Sequence, residues 1–281
     1  MSKTFLYFFT SFIFISVADI SNANAQYYYK DIMGTQKQNA EFSVLKSSNL
    51  NHIKITSFDE NDQPSEGFFC EKKINKNFSE SKLMTNSNIT GESLLVTEYN
   101  DKGEVTKTTT TTPNSTNTVE YKYDEEGKIL SIHTNTIAAG DSNGIVETHE
   151  YFYTNGRPEK MIRKKNNEVI STITFVADSN GNIIEEDPEG KGLDKKYFYY
   201  YDDKNRLTDV VHYNPVAKRL LPDYMFEYNN DNQPKQMISV DETGRNYFIW
   251  RYAYDDKNLP EIQKCYSKEK QLLGTIQYEY E

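Results

Sequence analysis

The chain has 281 residues, and 42 Asp and Glu outweigh 32 Lys and Arg to give a formal net charge of -10 at pH 7. This acidic balance argues against a nucleic-acid partner, whose phosphates need a basic face, and against an anionic lipid surface. The mean hydropathy is low, at -0.79, yet 14% of the residues are aromatic. Tyr rings can be buried while their hydroxyls stay in water, so this composition favours a thin sheet over a thick core.

The first 25 residues have the pattern of a secretory signal peptide. Lys3 precedes an apolar run over residues 5–17, and Ala23-Asn24-Ala25 supplies the small residues that a signal peptidase needs. The sequence therefore predicts cleavage after Ala25 and export of the mature chain to the periplasm, the outer surface or the medium. A membrane anchor is the weaker alternative, because the apolar run is shorter than the roughly 20 residues that span a bilayer.

Residues 26–54 are predicted to hold an N-terminal strand and a short cap helix. Thr35-Gln36-Lys37-Gln38 has the spacing of a capping box, which predicts a helix from Thr35 to Ser48. Such a helix is expected to cover the open edge of the first hairpin. Tyr27-Tyr28-Tyr29 is interpreted as a strand, or as rings packed against the same end; a platform for stacking a ligand is the alternative.

A motif recurs over residues 55–281 in eight copies and a terminal stub: an aromatic residue, Asp or Asn, two polar residues, Gly or Asn, and an apolar residue two positions further, with one residue fewer in the copy at Tyr153. The copies begin at Phe58, Tyr99, Tyr123, Tyr153, Ala177, Tyr201, Tyr228, Tyr254 and Tyr280. A second aromatic residue usually stands two positions earlier, which places both rings on one face of a strand. The acid and the later Gly or Asn predict a type I turn that ends in left-handed backbone. Each copy therefore predicts a β-hairpin that needs its neighbours to cover its apolar face.

The first two copies are 41 residues apart, whereas the later spacings lie between 24 and 30. The region from Glu71 to Gly91, rich in Lys, Asn and Ser, is interpreted as a degenerate repeat or a loop. The last strand, ending at Tyr280-Glu281, is expected to complete the sheet with no effector domain after it.

These residues resemble the YD repeats of RHS proteins, teneurins and insecticidal toxin-complex shells. The copies at Tyr123, Tyr201 and Tyr254 are the most similar to that signature. The resemblance implies a curled strip of antiparallel hairpins, and in the large relatives such a strip encloses a cargo. Eight or nine units are too few for that shell, so the encapsulating role is not transferred. The resemblance also implies contact with a carbohydrate or a partner protein on the strip surface.

The cysteines, Cys70 and Cys265, lie in the first and last thirds of the repeat region. A disulfide between them requires the two ends of the array to meet in a closed ring, because the Cα atoms must come within about 7 Å. Two separate buried or reduced thiols are the favoured alternative.

Residue patterns for catalysis or metal binding are sparse. His52, His133, His149 and His212 fall on different units and share no metal-ligand spacing, so each is interpreted as a surface or half-buried strand residue. The acid pairs at residues 202–203 and 255–256 could act in a glycoside hydrolase, but turn formation already accounts for them. We expect no cofactor and no metal, with calcium at the turns as a minor alternative.

Aromatic patches are the best candidates for a ligand-binding surface. Six rings are the ligand-binding candidates: Phe248, Trp250, Tyr252, Tyr254, Tyr199 and Tyr201. By alternation the first four share one face of a strand, while Tyr247 and Ile249 point the other way. Exposed rings of this kind stack on sugars or anchor proteins, although cross-strand packing that only stabilises the sheet is the stronger interpretation.

The overall expectation is an all-β, single-domain array of antiparallel hairpins, curled or solenoid-like and possibly closed, with a short N-terminal cap helix. Its expected function is that of an exported, non-enzymatic binding module for a glycan or a surface protein. A structural scaffold that self-associates through sheet edges is the second hypothesis. A hydrolase that uses turn carboxylates is the third.

Overall fold

The computed structural model describes residues 26–190, 195–241 and 244–281, so the predicted signal peptide lies outside the described residues. A π-helical turn, Tyr28–Met33, leads directly into helix α1, Gly34–Ser47. The predicted helix is therefore confirmed, but the capping box is not. The residue before α1, Met33, is already helical and α1 shows no side-chain cap, because the preceding turn continues into it. The same turn takes the place of the strand expected at Tyr27–Tyr29.

Eighteen strands follow in the described residues. They are β1 (His52–Phe58), β2 (Phe69–Ile74), β3 (Glu80–Ser87), β4 (Gly91–Tyr99), β5 (Val105–Thr112), β6 (Ser115–Tyr123), β7 (Ile129–Ala138), β8 (Ile145–Thr154), β9 (Arg157–Lys165), β10 (Glu168–Ala177), β11 (Ile183–Gly190), β12 (Tyr197–Tyr201), β13 (Leu207–Asn214), β14 (Arg219–Tyr228), β15 (Pro234–Val240), β16 (Tyr247–Tyr254), β17 (Pro260–Tyr266) and β18 (Leu272–Tyr280). The predicted boundary between residues 54 and 55 falls inside β1.

The strands form a closed, antiparallel, up-and-down barrel. Each strand pairs with its neighbours in the chain, and β1 closes the ring by pairing with β18, from Ile53 opposite Tyr280 to Phe58 opposite Thr275. The predicted hairpin array is confirmed, and it closes. Since each of the described strands has a partner on both sides, the free edges expected for scaffold-type self-association are absent. None of the described helices has the length and apolar character needed to cross a membrane.

The turn chemistry predicted for the repeats is confirmed. In the β6–β7 turn, Asp124 Oδ1 accepts the backbone N–H groups of Glu126 and Lys128 at 2.9 Å, and Gly127 has a φ of 83°. Asn258 occupies the equivalent left-handed position in the β16–β17 turn, with a φ of 65°. Asp and Asn side chains stabilise such turns by capping their amides, and Gly and Asn tolerate the backbone that follows.

These turns share one end of the barrel, here called the repeat rim, which carries the loops after β2, β4, β6, β8, β10, β12, β14 and β16. Because strands alternate in direction, the loop after β1 lies at the opposite rim. The copy assigned to Phe58 is thus out of phase with the others. The missing copy is the turn after β2, where Asn75 Oδ1 accepts the N–H groups of Ser79 and Glu80 at 2.9 and 3.1 Å. This turn has no Gly or Asn at its left-handed position, since Phe78 adopts a φ of 54°. That substitution explains the apparent interval of 41.

The first Tyr of each copy ties its hairpin to the preceding one. Among the described residues, six such hydroxyls donate to the carbonyl oxygen of the apolar residue in the preceding copy, over 2.6–2.9 Å. The donor and acceptor residues are Tyr123 and Val105, Tyr153 and Ile129, Tyr201 and Ile183, Tyr228 and Leu207, Tyr254 and Pro234, and Tyr280 and Pro260. Tyr99 binds Ser81 Oγ instead, at 3.1 Å. The repeated Tyr therefore has a structural role in linking hairpins.

Residues 26–47, here called the luminal segment, lie inside the barrel. Asn39 binds the N–H of Val105 on β5, Asp31 binds His149 on β8, and the Tyr29 ring packs on Phe226 of β14. Only a segment in the lumen can reach strands on such different sides of the ring. Helix α1 lies against the inner face near the repeat rim, where Phe42 packs on Phe78 and Lys46 binds the Asp101 carbonyl. Its expected role as a cap on the first hairpin edge is wrong because β18 already pairs with that edge.

Rings on the inner face and the luminal segment form the apolar core. Phe42 of α1 stacks on Tyr99 with ring centroids 3.5 Å apart and planes 5° apart. At the other end of the segment, the Tyr28 ring lies edge-on to Tyr199, 5.3 Å away. One core cluster centres on the β1–β18 seam and the other on β6–β13, and the luminal segment contributes to both.

The barrel closes without a disulfide. Cys70 on β2 and Cys265 on β17 are both free and buried. Burial raises the pKa of each thiol to about 12, so both are poor nucleophiles at neutral pH. The backbone ladder between β1 and β18 provides the closure instead, and His52 Nδ1 lies 2.9 Å from Glu281 Oε2 across that seam.

Candidate functional site

The six predicted ligand-binding rings line the inner face of the wall. Trp250 is 0% exposed and Tyr199 is 2% exposed, while Phe248, Tyr252, Tyr254 and Tyr201 are half-buried. Of the two residues predicted to point the other way, Tyr247 is 38% exposed, whereas Ile249 is 7% exposed and therefore buried. A sugar-stacking platform needs accessible ring faces, which Trp250 and Tyr199 lack. The role of these six rings as ligand contacts stays a prediction that their burial does not favour.

Glu186 on β11 holds the beginning of the luminal segment. Its Oε1 accepts the N–H groups of Gln26 and Tyr27 at 3.0 and 3.1 Å, and its Oε2 accepts the N–H of Tyr28 at 2.9 Å and the hydroxyl of Tyr199 at 2.7 Å. The first amides of a helix have no acceptor within the helix, so a carboxylate satisfies them well. Burial raises the pKa of Glu186 despite these four donors.

A network of buried charges holds the luminal segment further along. His149 lies between two carboxylates, with Nδ1 2.6 Å from Asp31 Oδ2 and Nε2 2.9 Å from Glu147 Oε1. Arg163 donates from Nε and Nη2 to the two oxygens of Glu147, both at 3.0 Å, and the Tyr151 hydroxyl donates to Asp31 at 2.6 Å. Two cations thus balance two anions, which is what buried charges require.

The pKa values in this network follow from its geometry. Burial acts to lower the pKa of His149, but the attraction of Asp31 and the hydrogen bonds to Asp31 and Glu147 outweigh it and raise the pKa to about 9. Burial acts to raise the pKa of Glu147, but His149 and Arg163 outweigh it and hold the pKa at about 2. Shifted values of this kind also occur at catalytic sites. Here each group has a partner that fixes the luminal segment to the wall, which explains the shifts without a reaction.

The turn carboxylates accept hydrogen bonds from backbone amides of their own turns. Asp202 Oδ1 accepts the N–H groups of Lys204 and Arg206, both at 3.0 Å, and Arg206 Nη2 donates to Oδ2 at 2.6 Å. The side-chain bond from Arg206 is the main reason that the pKa of Asp202 is lowered. Asp255 caps the amides of Lys257 and Leu259 in the same way. Among the described residues, His, Cys, Asp and Glu form no group of three or more that could hold a metal ion.

The outer face of the wall is charged over much of the ring. Lys54 pairs with Glu279 across the β1–β18 seam at 3.7 Å, and Lys164 pairs with Glu150 between β9 and β8 at 2.6 Å. Lys235 and Glu227, on β15 and β14, are 3.1 Å apart. Such cross-strand pairs suit a hydrated surface.

Exposed apolar residues also occur on several strands, among them Met84, Val169 and Tyr213, and one set of them recurs at equivalent positions of successive hairpins. Two outward positions recur in each hairpin near the repeat rim. One is the residue directly before the first position of the motif, and the other directly follows the apolar residue that ends the motif. Between β7 and β12 five of these positions carry exposed apolar residues, here called the outer row: Leu130, Phe152, Val176, Ile184 and Tyr200. Their exposure ranges from 37% to 47%. Elsewhere the same repeat positions carry residues such as Glu98, Glu227, Lys235 and Glu279. The outer row is therefore the candidate binding surface.

Sequence reasoning missed two of these features. The outer row could have been found by comparing the repeats in the sequence, because its members directly precede or follow residues that define the motif. The buried network is not recorded in any local pattern, since Asp31 and His149 are 118 residues apart in the chain. The interpretation of His149 and His212 as surface or half-buried strand residues is corrected, because His149 lies in the buried network and His212 is 7% exposed and bound to Asp223 at 2.8 Å.

No family model matches the chain, and no curated protein matches it. Among solved structures, a porin-like protein from Bacteroides uniformis ATCC 8492 matches with a TM-score of 0.40 and 12% identity, covering 83% of this chain and 96% of the other. A crystal structure of TcdB2-TccC3-Cdc42 matches with a TM-score of 0.22 and 9% identity, covering 76% of this chain but 16% of the other. At such low scores and identities neither match bears on function. The resemblance to YD repeats stays a prediction.

Proposed function

We propose that this chain is an exported, non-enzymatic barrel that binds a partner protein through the outer row. The observation that carries the proposal is the set of five exposed apolar side chains at equivalent positions of successive hairpins, where other hairpins carry charged pairs such as Lys235 with Glu227. Clustered exposed apolar side chains on a protein in water often mark an interaction site. The Lys160 ammonium lies 4.7 Å from the centre of the Phe152 ring and adds a cation beside the row. Aliphatic members such as Leu130, Val176 and Ile184 cannot stack on sugars, which favours a protein over a glycan.

The charged outer face supports a wall that lies in water. A lysine on a lipid-facing strand costs about 2–4 kcal/mol at the bilayer midplane. Outward pairs such as Lys164 with Glu150 would carry that cost on many strands at once. We therefore place the barrel in an aqueous compartment outside the cytoplasm, and we expect no flotation with lipid vesicles.

Site-specific photocrosslinking in cells that naturally produce the protein tests this function. A photoreactive phenylalanine analogue replaces Phe152 or Tyr200, and the same analogue at Ala253, which occupies the equivalent repeat position on β16, is the matched control. A defined adduct from residues 152 and 200 but not from 253 supports the proposal. Equal adducts at all three positions, or none, contradict it. A glycan array probed with the same chain tests the alternative ligand class, and saturable glycan binding that Tyr200→Ala abolishes would replace the protein partner with a glycan.

A further inference from the structure

Glu186 is a fully buried carboxylate whose four hydrogen-bond donors in the structure are neutral. Three are backbone amides of residues 26–28 and the fourth is the Tyr199 hydroxyl, all within 3.1 Å. The side chain is 0% exposed. Neutral donors replace only part of the hydration that a carboxylate loses on burial, and a cation in contact replaces far more. The site therefore has the chemistry to hold a positive charge at residue 26.

The backbone of Gln26 is strained as an internal residue. Its φ is 121°, a conformation that residues with a side chain rarely adopt. This dihedral exists only while a peptide bond joins Gln26 to the residue before it. Hydrolysis of that bond removes the constraint and leaves the amide nitrogen 3.0 Å from Glu186 Oε1 free to become an amine.

The predicted signal-peptidase site coincides with this residue. Ala23-Asn24-Ala25 predicts cleavage immediately before Gln26. In the structure Gln26 is 4% exposed and lies inside the barrel. A new terminus would ordinarily be expected in water, since an α-amino group is charged below its usual pKa of about 8. Burial at this residue requires an acidic partner, and Glu186 is in place.

We propose that cleavage after Ala25 completes the fold, because the freed α-ammonium of Gln26 docks on Glu186 and locks the luminal segment in the barrel. Water supplies the atoms: its oxygen adds to the carbonyl carbon of Ala25, the C–N bond breaks, and both protons of water end on nitrogen. The products are a carboxylate on the released peptide and an ammonium on Gln26. The inference rests on the export in the proposed function, and it is independent of binding at the outer row.

A second acid holds the Gln26 side chain away from its own amine. Gln26 Nε2 donates to Asp223 Oδ2, and Asp223 Oδ1 binds His212 Nδ1 at 2.8 Å. A free N-terminal glutamine cyclises to pyroglutamate with loss of ammonia when its amine attacks its own side-chain carbonyl. In the folded chain two different carboxylates hold the two groups, so the docked terminus is protected from this reaction.

The test compares two chains released from a fusion by a protease that leaves the intended first residue. One begins at Gln26 and the other at Ala23, and each is also made with Glu186→Gln. The chain that begins at Gln26 is expected to melt roughly 5 °C or more above the longer one, and Glu186→Gln is expected to abolish that difference. A difference that persists in Glu186→Gln overturns the proposal, because it would come from the bulk of three extra residues.

A second measurement keeps Glu186 intact. The chain that begins at Gln26 is unfolded, cyclised with glutaminyl cyclase and refolded, which preserves its length but removes the charge. It is expected to lose more of its melting temperature in the Glu186 background than in the Glu186→Gln background. Equal losses overturn the proposal, as does a folded chain that loses ammonia as fast as the same chain in urea. These measurements use purified chains and involve neither export nor a partner. A failure of this proposal is therefore distinguishable from a failure of export or of partner binding.

Discussion

The inner and outer faces of the same wall both carry aromatic residues, but the rings have different roles on the two faces. On β16, Trp250 points inward and is fully buried, while Tyr247 points outward and is 38% exposed. Inward rings pack on the luminal segment or donate to a neighbouring hairpin, whereas outward rings contact water. The comparison teaches that the aromatic content of this chain is a poor guide to binding until the face of each ring is known.

The largest effect is expected from removing an inward ring. Trp250→Ala should lower the free energy of unfolding by about 3–5 kcal/mol, because the side chain is fully buried and its loss leaves a cavity. Urea denaturation followed by circular dichroism measures the change. Tyr247→Ala, on the outer face of the same strand, is the matched control and should cost less than about 1 kcal/mol. Equal costs for the two variants would show that the face does not decide the role.

The charged network inside the barrel predicts a loss of stability at alkaline pH. The pKa of His149 is raised from 6.5 to about 9, so its ionised form stabilises the fold fully below about pH 6.5, and this contribution is lost as pH rises through about 9. The total loss should be about 3 kcal/mol. Unfolding free energies measured between pH 6 and pH 10 test it.

His149→Gln should flatten this pH dependence. The pKa of His52, at the β1–β18 seam, is also raised, mainly by its hydrogen bond to Glu281. Because His52 is accessible to solvent, added salt should reduce its contribution to the pH dependence of stability, while the contribution of buried His149 should remain. An unchanged pH profile in His149→Gln would contradict the assignment.

A smaller effect is expected from the hydroxyls that link the hairpins. Tyr228→Phe removes the bond from the Tyr228 hydroxyl to the Leu207 carbonyl oxygen, 2.6 Å away, while it keeps the ring. The expected loss is about 1 kcal/mol. Tyr200→Phe is the outward control and should change the stability by less than about 0.5 kcal/mol. Thermal or chemical denaturation of both variants decides whether the repeated Tyr is conserved in the copies for this bond or only for its ring.

The smallest effect on stability should come from the outer row. Phe152→Ser combined with Tyr200→Ser should leave the free energy of unfolding within about 1 kcal/mol, because both side chains are more than 40% exposed. The same double variant should lose its partner in a pull-down from the natural host. If the double variant still binds its partner, the proposed binding role of the outer row is contradicted, while the description of the fold is unaffected.

Much of the local structure could be predicted from the sequence because it depends on neighbouring residues. The Asp and Gly of residues 124–127 specify their turn through bonds within five residues of each other. The alternation of Trp250 and Tyr247 follows from the strand period alone. The copy at Phe58 forms its predicted turn, since Asp59 Oδ1 accepts the N–H groups of Asn61 and Gln63, but at the opposite rim. The copy after β2 was missed because Phe78 stands where the motif expects Gly or Asn.

The candidate site was less predictable. The six predicted rings are buried or half-buried, since a high density of aromatic residues indicates packing as readily as binding. The outer row emerges only when each hairpin is superimposed on the next and its outward positions are compared. The contacts of Glu186 with residues 26–28 join parts of the chain about 160 residues apart, which no local pattern records.

The sequence by itself determined the unit of this protein: a hairpin with a capped turn, a left-handed closing residue and two aromatic residues on one face. Those features rest on steric limits and hydrogen bonds within a few residues. Only the tertiary structure decided that the strip closes between β1 and β18 and that its lumen holds residues 26–47. Closure depends on the twist accumulated over all eighteen strands and on the volume left inside, and both are properties of the assembled ring.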